Sequence, residues 1–113
     1  HLCGNIHQYV ISGLGREADV RVRQNEFDSR DLIEKELLFK KIADTVSNAK
    51  QVISNSPAAD LLAYFKIQAY ELSGAGIIVH VVEHLSYHTG QIALLTKLLK
   101  NKDLGFYAGV DLD

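Results

Sequence analysis

Three histidines recur at four-residue intervals near the end of the chain, at His80, His84 and His88. They lie within residues 77–99, a run rich in isoleucine, valine and leucine that contains no proline. Such a run predicts a helix, and at about 100° per residue the three imidazoles share one strip of its surface. Imidazole is the commonest side-chain ligand of divalent metals, and two histidines spaced i, i+4 can reach one ion. The spacing therefore indicates a metal site.

The same strip carries Ile77, Leu95 and Leu98, so the imidazoles are expected to face a core. A buried polar group without a partner costs roughly 1–3 kcal/mol, and a metal would supply that partner. The alternative is a structural cluster, in which the histidines make hydrogen bonds and hold no metal. Glu83 precedes His84 and projects off the strip, so the pattern is not the H-E-x-x-H of a metalloprotease. Three histidines in register favour the metal.

The beginning of the chain is predicted to form a second helix that borders the same site. Apolar residues cover one side of residues 2–10, and the Ser-Gly-Leu-Gly stretch at 12–15 is expected to end the helix. His1 and Asn5 share a polar strip beside that apolar face, so His1 is expected to look along the same cleft as Asn5. His7 points away from this strip and is expected at the surface or at an edge.

The middle of the chain is expected to be a connection followed by a scaffold helix. Residues 16–30 are highly charged, which predicts a solvated loop whose ion pairs contribute little to the stability of the fold. In the alternative, Arg21 or Arg23 overhangs the cleft and steers an anionic substrate. A helix is predicted from Asp31, where a capping box begins, to residues 54–57.

The histidine helix is predicted to follow an extended crossover. Residues 65–72 alternate between apolar and polar with period two, so the crossover is expected to be irregular and partly extended. Ser73 is the expected cap of the histidine helix, which should end near Lys100. The tail, residues 103–113, is expected to fold back onto the helices through its two aromatic residues.

Composition sets the class of protein. The 113 residues predict one domain, residues 1–113, and the formal charge of −2 gives no electrostatic footprint for nucleic acid or an anionic membrane. The sequence has no apolar run of the roughly 20 residues that span a bilayer and no signal-peptide pattern. The single cysteine, Cys3, excludes an internal disulfide and favours a cytoplasmic location, and it is expected to be a small buried hydrophobe.

Three sequence motifs resemble one family. They are His-Leu-Ser-Tyr-His-Thr-Gly-Gln at residues 84–91, His-Leu-Cys-Gly-Asn at 1–5 and Lys-Asp-Leu-Gly-Phe-Tyr at 102–107. Together they resemble the DinB-like (YfiT-like) superfamily over essentially the whole chain, in its branch of mostly uncharacterised proteins. The resemblance implies an all-α, antiparallel four-helix bundle with a three-histidine metal site. The first helix of that bundle is expected to lie upstream of His1, so this chain accounts for three of the four.

The resemblance also implies which residues form the site. His84 and His88 match the two metal ligands on the last helix of the family, and His1 matches the ligand on its second helix. Asn5 and Gln91 match polar positions that are frequent near the metal. The implied ion is divalent, such as zinc, nickel, iron or manganese, with coordination positions left open.

The implied function is metal-dependent chemistry on a small molecule. Relatives in the superfamily include S-transferases that use low-molecular-weight thiols, a thiol-dependent isomerase and proteins described as metal-dependent hydrolases. A low-molecular-weight thiol is therefore the expected co-substrate of a transferase, and water that of a hydrolase. His80, one turn below His84, is expected to support the ligands from a second layer. Tyr87 is either a hydroxyl near the metal or, as is more common, an ordinary core aromatic.

A non-catalytic helical module is the rival interpretation. In it the histidines form a hydrogen-bonded network in the core without metal, and replacing His84 with alanine merely destabilises the fold. A homodimer is one form that this module could take. A third interpretation has a terminal His1 chelating copper through its own amine and ring.

Overall fold

The computed structural model describes residues 1–111. These residues form five α-helices, one π-helical segment and one two-stranded antiparallel sheet. The predicted all-α, antiparallel four-helix bundle of DinB type is therefore wrong for the described part of the chain. In chain order the elements are α1 (Leu2–Ile6), the π-helical segment (His7–Leu14), α2 (Arg23–Asp28), α3 (Lys35–Asn55), α4 (Ala58–Leu62), β1 (Tyr64–Ile67), β2 (Tyr70–Ser73) and α5 (Gly74–Lys100).

The hairpin of β1 and β2 is the main departure from a helical bundle. Its alternating sequence predicts extended backbone, and the structure pairs that backbone with Phe65 opposite Leu72. Both side chains pack against the core, and Ile67 is buried in it. Gln68 opens the two-residue turn with a positive φ of 56°. Glycine and asparagine adopt that conformation more readily than glutamine does, so the sequence contains no hairpin signal at this point.

The chain begins with one continuous helical rod that changes type. At His7, α1 passes into the π-helical segment, and the Gly15 N–H donates to the Val10 carbonyl five residues earlier, at 2.8 Å. The rod therefore continues to Leu14 and is longer than the sequence predicts. Its Cys3 is free and half-buried, although full burial is predicted. The rod supplies most of the core, through the buried residues Ile6, Tyr9, Val10, Ile11 and Leu14.

The core lies where this rod meets one half of each long helix. Ala49, in the C-terminal half of α3, and Ile77 and Val81, in the N-terminal half of α5, are buried there. The other halves run beyond the core, and Leu95 and Leu98 are 56% and 69% exposed. The apolar strip is therefore buried only in the first half of α5. The prediction that Leu95 and Leu98 face the core is wrong. No helix among residues 1–111 is long and apolar enough to cross a membrane.

The helix starts are confirmed for α5 and wrong for α3. Ser73 caps α5, because its Oγ accepts a hydrogen bond from the Gly76 N–H at 3.1 Å. α3 begins at Lys35 after Glu34, whose side chain makes no capping hydrogen bond. The capping box predicted at residues 31–34 therefore does not start this helix.

The predicted docking of the tail through its two aromatic residues is wrong. Phe106 and Tyr107, the aromatic residues expected to dock, are 63% and 69% exposed. Residues 102–105 and 110–111 have no helix or strand, and residues 106–109 form turns. The predicted tail also includes residues 112–113, which lie outside the described part of the chain.

Candidate metal centre

Three histidines meet between the start of α1 and the middle of α5. His1 precedes α1, while His84 and His88 face it from consecutive turns of α5, and each offers a ring nitrogen within 4.8 Å of the others. His1 Nε2 lies 3.2 Å from His84 Nε2. Two nitrogens bound at 2.1 Å to a tetrahedral ion are about 3.4 Å apart. The donor set and its spacing fit a divalent metal, and these are the three ligands that the family motifs imply.

Glu26 holds His1 from its other ring nitrogen. His1 Nδ1 lies 3.1 Å from Glu26 Oε2. A carboxylate can only accept, so His1 carries its proton on Nδ1 and turns the Nε2 lone pair toward His84. Arg21 Nη2 lies 3.5 Å from the same Nδ1, farther than the Glu26 oxygen. The closer carboxylate therefore determines which ring nitrogen carries the proton. Metal-binding histidines usually make this second contact, to a carboxylate or a carbonyl.

The sequence alone does not identify Glu26 as a partner of His1. The residue lies in the charged stretch 16–30, where its type and spacing do not distinguish it from the other acidic side chains. Its partner His1 is 25 positions away in the chain, and that pairing has no characteristic spacing. The contact depends on the path of the stretch between them, which the residue types alone do not determine.

Arg21 anchors the Glu26 carboxylate, so this part of the stretch is not a solvated loop. Its side chain is only 5% exposed, and its Nε and Nη2 donate to the two oxygens of Glu26 at 2.8 and 2.7 Å. Its Nη1 donates to Gln8 Oε1 at 2.8 Å. The alternative in which Arg21 steers a substrate is not supported either, because all three nitrogens are engaged within the protein. Arg23 is exposed and lies over the Phe27 ring at 4.7 Å.

Asn5 and His80 form a second layer one turn deeper. Asn5 Nδ2 lies 3.5 Å from His80 Nε2, and the His80 ring stacks on His84 with 6.1 Å between centroids. The Tyr9 ring also packs against His80, with 4.2 Å between centroids. Asn5 is buried, and its Oδ1 is without a hydrogen-bond partner among residues 1–111. Both residues lie beneath the ligand cluster, and their supporting role stays a prediction.

Tyr87 and Gln91 lie at the outer edge of the cluster. The Tyr87 ring packs 5.1 Å from His88 but is 63% exposed, so its predicted place in the core is wrong. Gln91 Nε2 donates to the Tyr87 hydroxyl at 2.9 Å, which links Gln91 to His88 through the tyrosine. His7 lies elsewhere, half-buried, with Nδ1 3.3 Å from Ser12 Oγ.

Among residues 1–111, the histidine cluster is the group whose spacing could hold a metal ion. No protein-family model, curated protein or solved structure matches this chain. Membership of the DinB-like superfamily therefore stays a prediction from the three motifs.

Burial favours the metal-binding form of the cluster. It lowers the pKa of His84, and the nearby His88 and His80 lower that pKa further. Only the neutral imidazole has a lone pair for a metal, so a lowered pKa keeps the ligand available at a more acidic pH than for a free histidine.

Acid should weaken the fold through the carboxylates near the site. The hydrogen bond from Arg21 lowers the pKa of Glu26, and that from Gln8 lowers the pKa of Asp19. A carboxyl with a lowered pKa stabilises the fold above its ordinary pKa, and this contribution is lost as the pH falls through the folded pKa. We expect the melting temperature of the metal-free protein to decrease when the pH is lowered below about 5, and we expect a smaller decrease in Glu26→Gln. Circular dichroism melts across this range measure it, and identical pH profiles for both proteins would contradict the role of Glu26.

Proposed function

We propose that the chain is a metal-dependent enzyme in which His1, His84 and His88 hold one divalent ion, such as zinc, nickel, iron or manganese. The observation that supports it is the convergence of the three ring nitrogens, with a carboxylate on the far side of His1. Among the described residues, three side chains lie close enough together to bind one ion. Structural zinc usually has four protein ligands, whereas catalytic zinc has three and an open position.

The side chains around the cluster orient and shield the reacting groups. A bound metal supplies a Lewis acid that can activate water, a thiol or a carbonyl. His84 and His88 are held in register by α5, whose first half is fixed in the core. Phe27 packs 5.5 Å from the His1 ring and covers one side of it. The Tyr87 ring packs against His88 and is exposed, and its hydroxyl accepts from Gln91, so the hydroxyl keeps a proton that it can donate to a small molecule.

The proposed substrates are small molecules. With a low-molecular-weight thiol as co-substrate the reaction is an S-transfer, and with water it is a hydrolysis. We place the enzyme in the cytoplasm, because its single cysteine requires no oxidising compartment. Nucleic acid and membrane partners are not proposed, since the net charge of −2 gives neither an attractive surface.

A metal-dependent activity screen tests this function. The protein is loaded in turn with zinc, nickel, iron and manganese, then assayed with low-molecular-weight thiols plus electrophilic acceptors and with chromogenic esters and amides. We expect turnover that requires the metal, is lost on chelation and is absent in His88→Ala. Turnover that survives both chelation and His88→Ala, or no turnover with any loaded ion, would contradict the proposal.

A non-catalytic homodimer is the second candidate, and the exposed halves of the long helices favour it. The chain has 8603 Å² of accessible surface, against about 6,200 Å² for a folded monomer of this mass. Its radius of gyration of 16.5 Å also exceeds the roughly 13 Å of a compact chain of this length. The excess area is about 2,400 Å², enough for a standard interface between two copies. We expect dimers by sedimentation equilibrium and monomers for Leu98→Glu; a monomeric wild-type protein would exclude this candidate.

A further inference from the structure

We infer that Glu26, anchored by Arg21, is the positioning residue that fixes the ring and the tautomer of His1 for metal binding. The inference rests on the proposed function, which requires His1 to present a lone pair at Nε2. His1 Nε2 lies 3.2 Å from His84 Nε2, and Nδ1 lies 3.1 Å from Glu26 Oε2. The carboxylate thus binds the nitrogen that the ion does not need.

His1 needs this support more than the other two histidines. It is the exposed member of the cluster, whereas His84 and His88 are half-buried. His84 and His88 lie inside a long helix, which fixes their backbones. In a neutral imidazole either nitrogen can carry the proton, so without an acceptor at Nδ1 part of the population would carry it on Nε2. Glu26 removes that ambiguity.

Arg21 holds the carboxylate where the ring requires it. It donates to both oxygens of Glu26, which leaves Oε2 shared between the guanidinium and His1. The guanidinium is a rigid fork that matches a carboxylate with two parallel hydrogen bonds. Its third contact, to Gln8, ties the pair to the π-helical segment. The carboxylate that contacts His1 is thus tied both to α2, which carries Glu26, and to the π-helical segment, which carries Gln8.

Gly4 provides the space for this ion pair. A Cβ at Gly4 would overlap Glu26 Oε1 and lie 2.8 Å from Arg21 Nε. Alanine is preferred to glycine inside a helix by roughly 0.5–1 kcal/mol, so the glycine is not explained by helix formation. Gly4→Ala therefore displaces the ion pair without removing any polar group.

Zinc titration of matched variants tests the inference. Glu26→Ala and Gly4→Ala are expected to bind zinc 10–100-fold more weakly than the wild type, which is typical for the partner of a metal-binding histidine. Glu26→Gln should fall between, because its amide oxygen can still accept from His1. Asp28→Asn removes a carboxylate from the same helix, and Gly90→Ala adds a methyl group with nothing within 4 Å. Both controls should bind as the wild type does.

Nitrogen-15 NMR of the metal-free protein supplies a readout that a merely structural role would not move. We expect the neutral His1 ring to carry its proton on Nδ1 in the wild type. In Glu26→Ala we expect a mixture of the two tautomers, with the proton on Nδ1 in some molecules and on Nε2 in others. Wild-type zinc affinity in Glu26→Ala, together with an unchanged His1 tautomer, would overturn the inference and leave the proposed function intact. A wild-type protein that binds none of the four metals would overturn the proposed function and this inference with it.

Discussion

Replacing His84 with alanine should weaken zinc binding by at least about 100-fold, more than the loss of an outer partner, while the helices remain folded. The variant removes one of three ligands from the centre of the cluster. Alanine has the highest helix propensity, and α5 is fixed in the core by Ile77 and Val81, which the change does not touch. Competition titration measures the affinity, and circular dichroism checks the helix content.

His7→Ala is the matched control, because His7 is a half-buried histidine outside the cluster. It should bind zinc as the wild type does. If His84→Ala instead binds zinc normally and only lowers the free energy of unfolding, by roughly 1–3 kcal/mol, the histidines form a structural cluster. That result would favour the non-catalytic homodimer.

Replacing Arg21 with methionine should lower the free energy of unfolding by about 3–5 kcal/mol, the range for removing one partner of a buried ion pair. Arg21 is 5% exposed, and its loss leaves the Glu26 carboxylate, itself 18% exposed, without its cation. Gln8 Oε1 would lose a donor as well. Urea unfolding followed by circular dichroism measures the change.

Arg23→Met is the control for this prediction, since Arg23 lies in the same stretch but is exposed over Phe27. It should cost at most about 1 kcal/mol. Adding Glu26→Gln to Arg21→Met should recover part of the lost stability, because it removes the unpaired charge. Equal losses for Arg21→Met and Arg23→Met would show that the buried pair does not hold this stretch.

Periodicity in the sequence predicts which face of a helix is apolar, but not how far the core extends along it. The strip on α5 is confirmed at Ile77, which is buried, and wrong at Leu95 and Leu98, which are exposed. The cap at Ser73 is confirmed because capping is decided within three residues of the chain. Local signals thus predict where α5 begins and which face meets the core.

Features that depend on distant residues are not predictable in this way. Gln68 adopts a positive φ, and its amide is held by Tyr9 and Gln8 from the helical rod. Those contacts, and not a turn residue, accompany the tight hairpin that overturns the predicted bundle. Glu26 is another example, because its contact with His1 depends on the path by which the charged stretch passes Gly4 of α1.

The most direct measurement is X-ray absorption at the zinc edge on the zinc-loaded wild-type protein, with zinc content determined by elemental analysis. The three-histidine site predicts one zinc per chain and three imidazole nitrogens at about 2.0–2.1 Å, with the remaining position open to a water or thiol. A protein that retains no zinc after loading, or a bound zinc without imidazole scattering, would contradict the site formed by His1, His84 and His88.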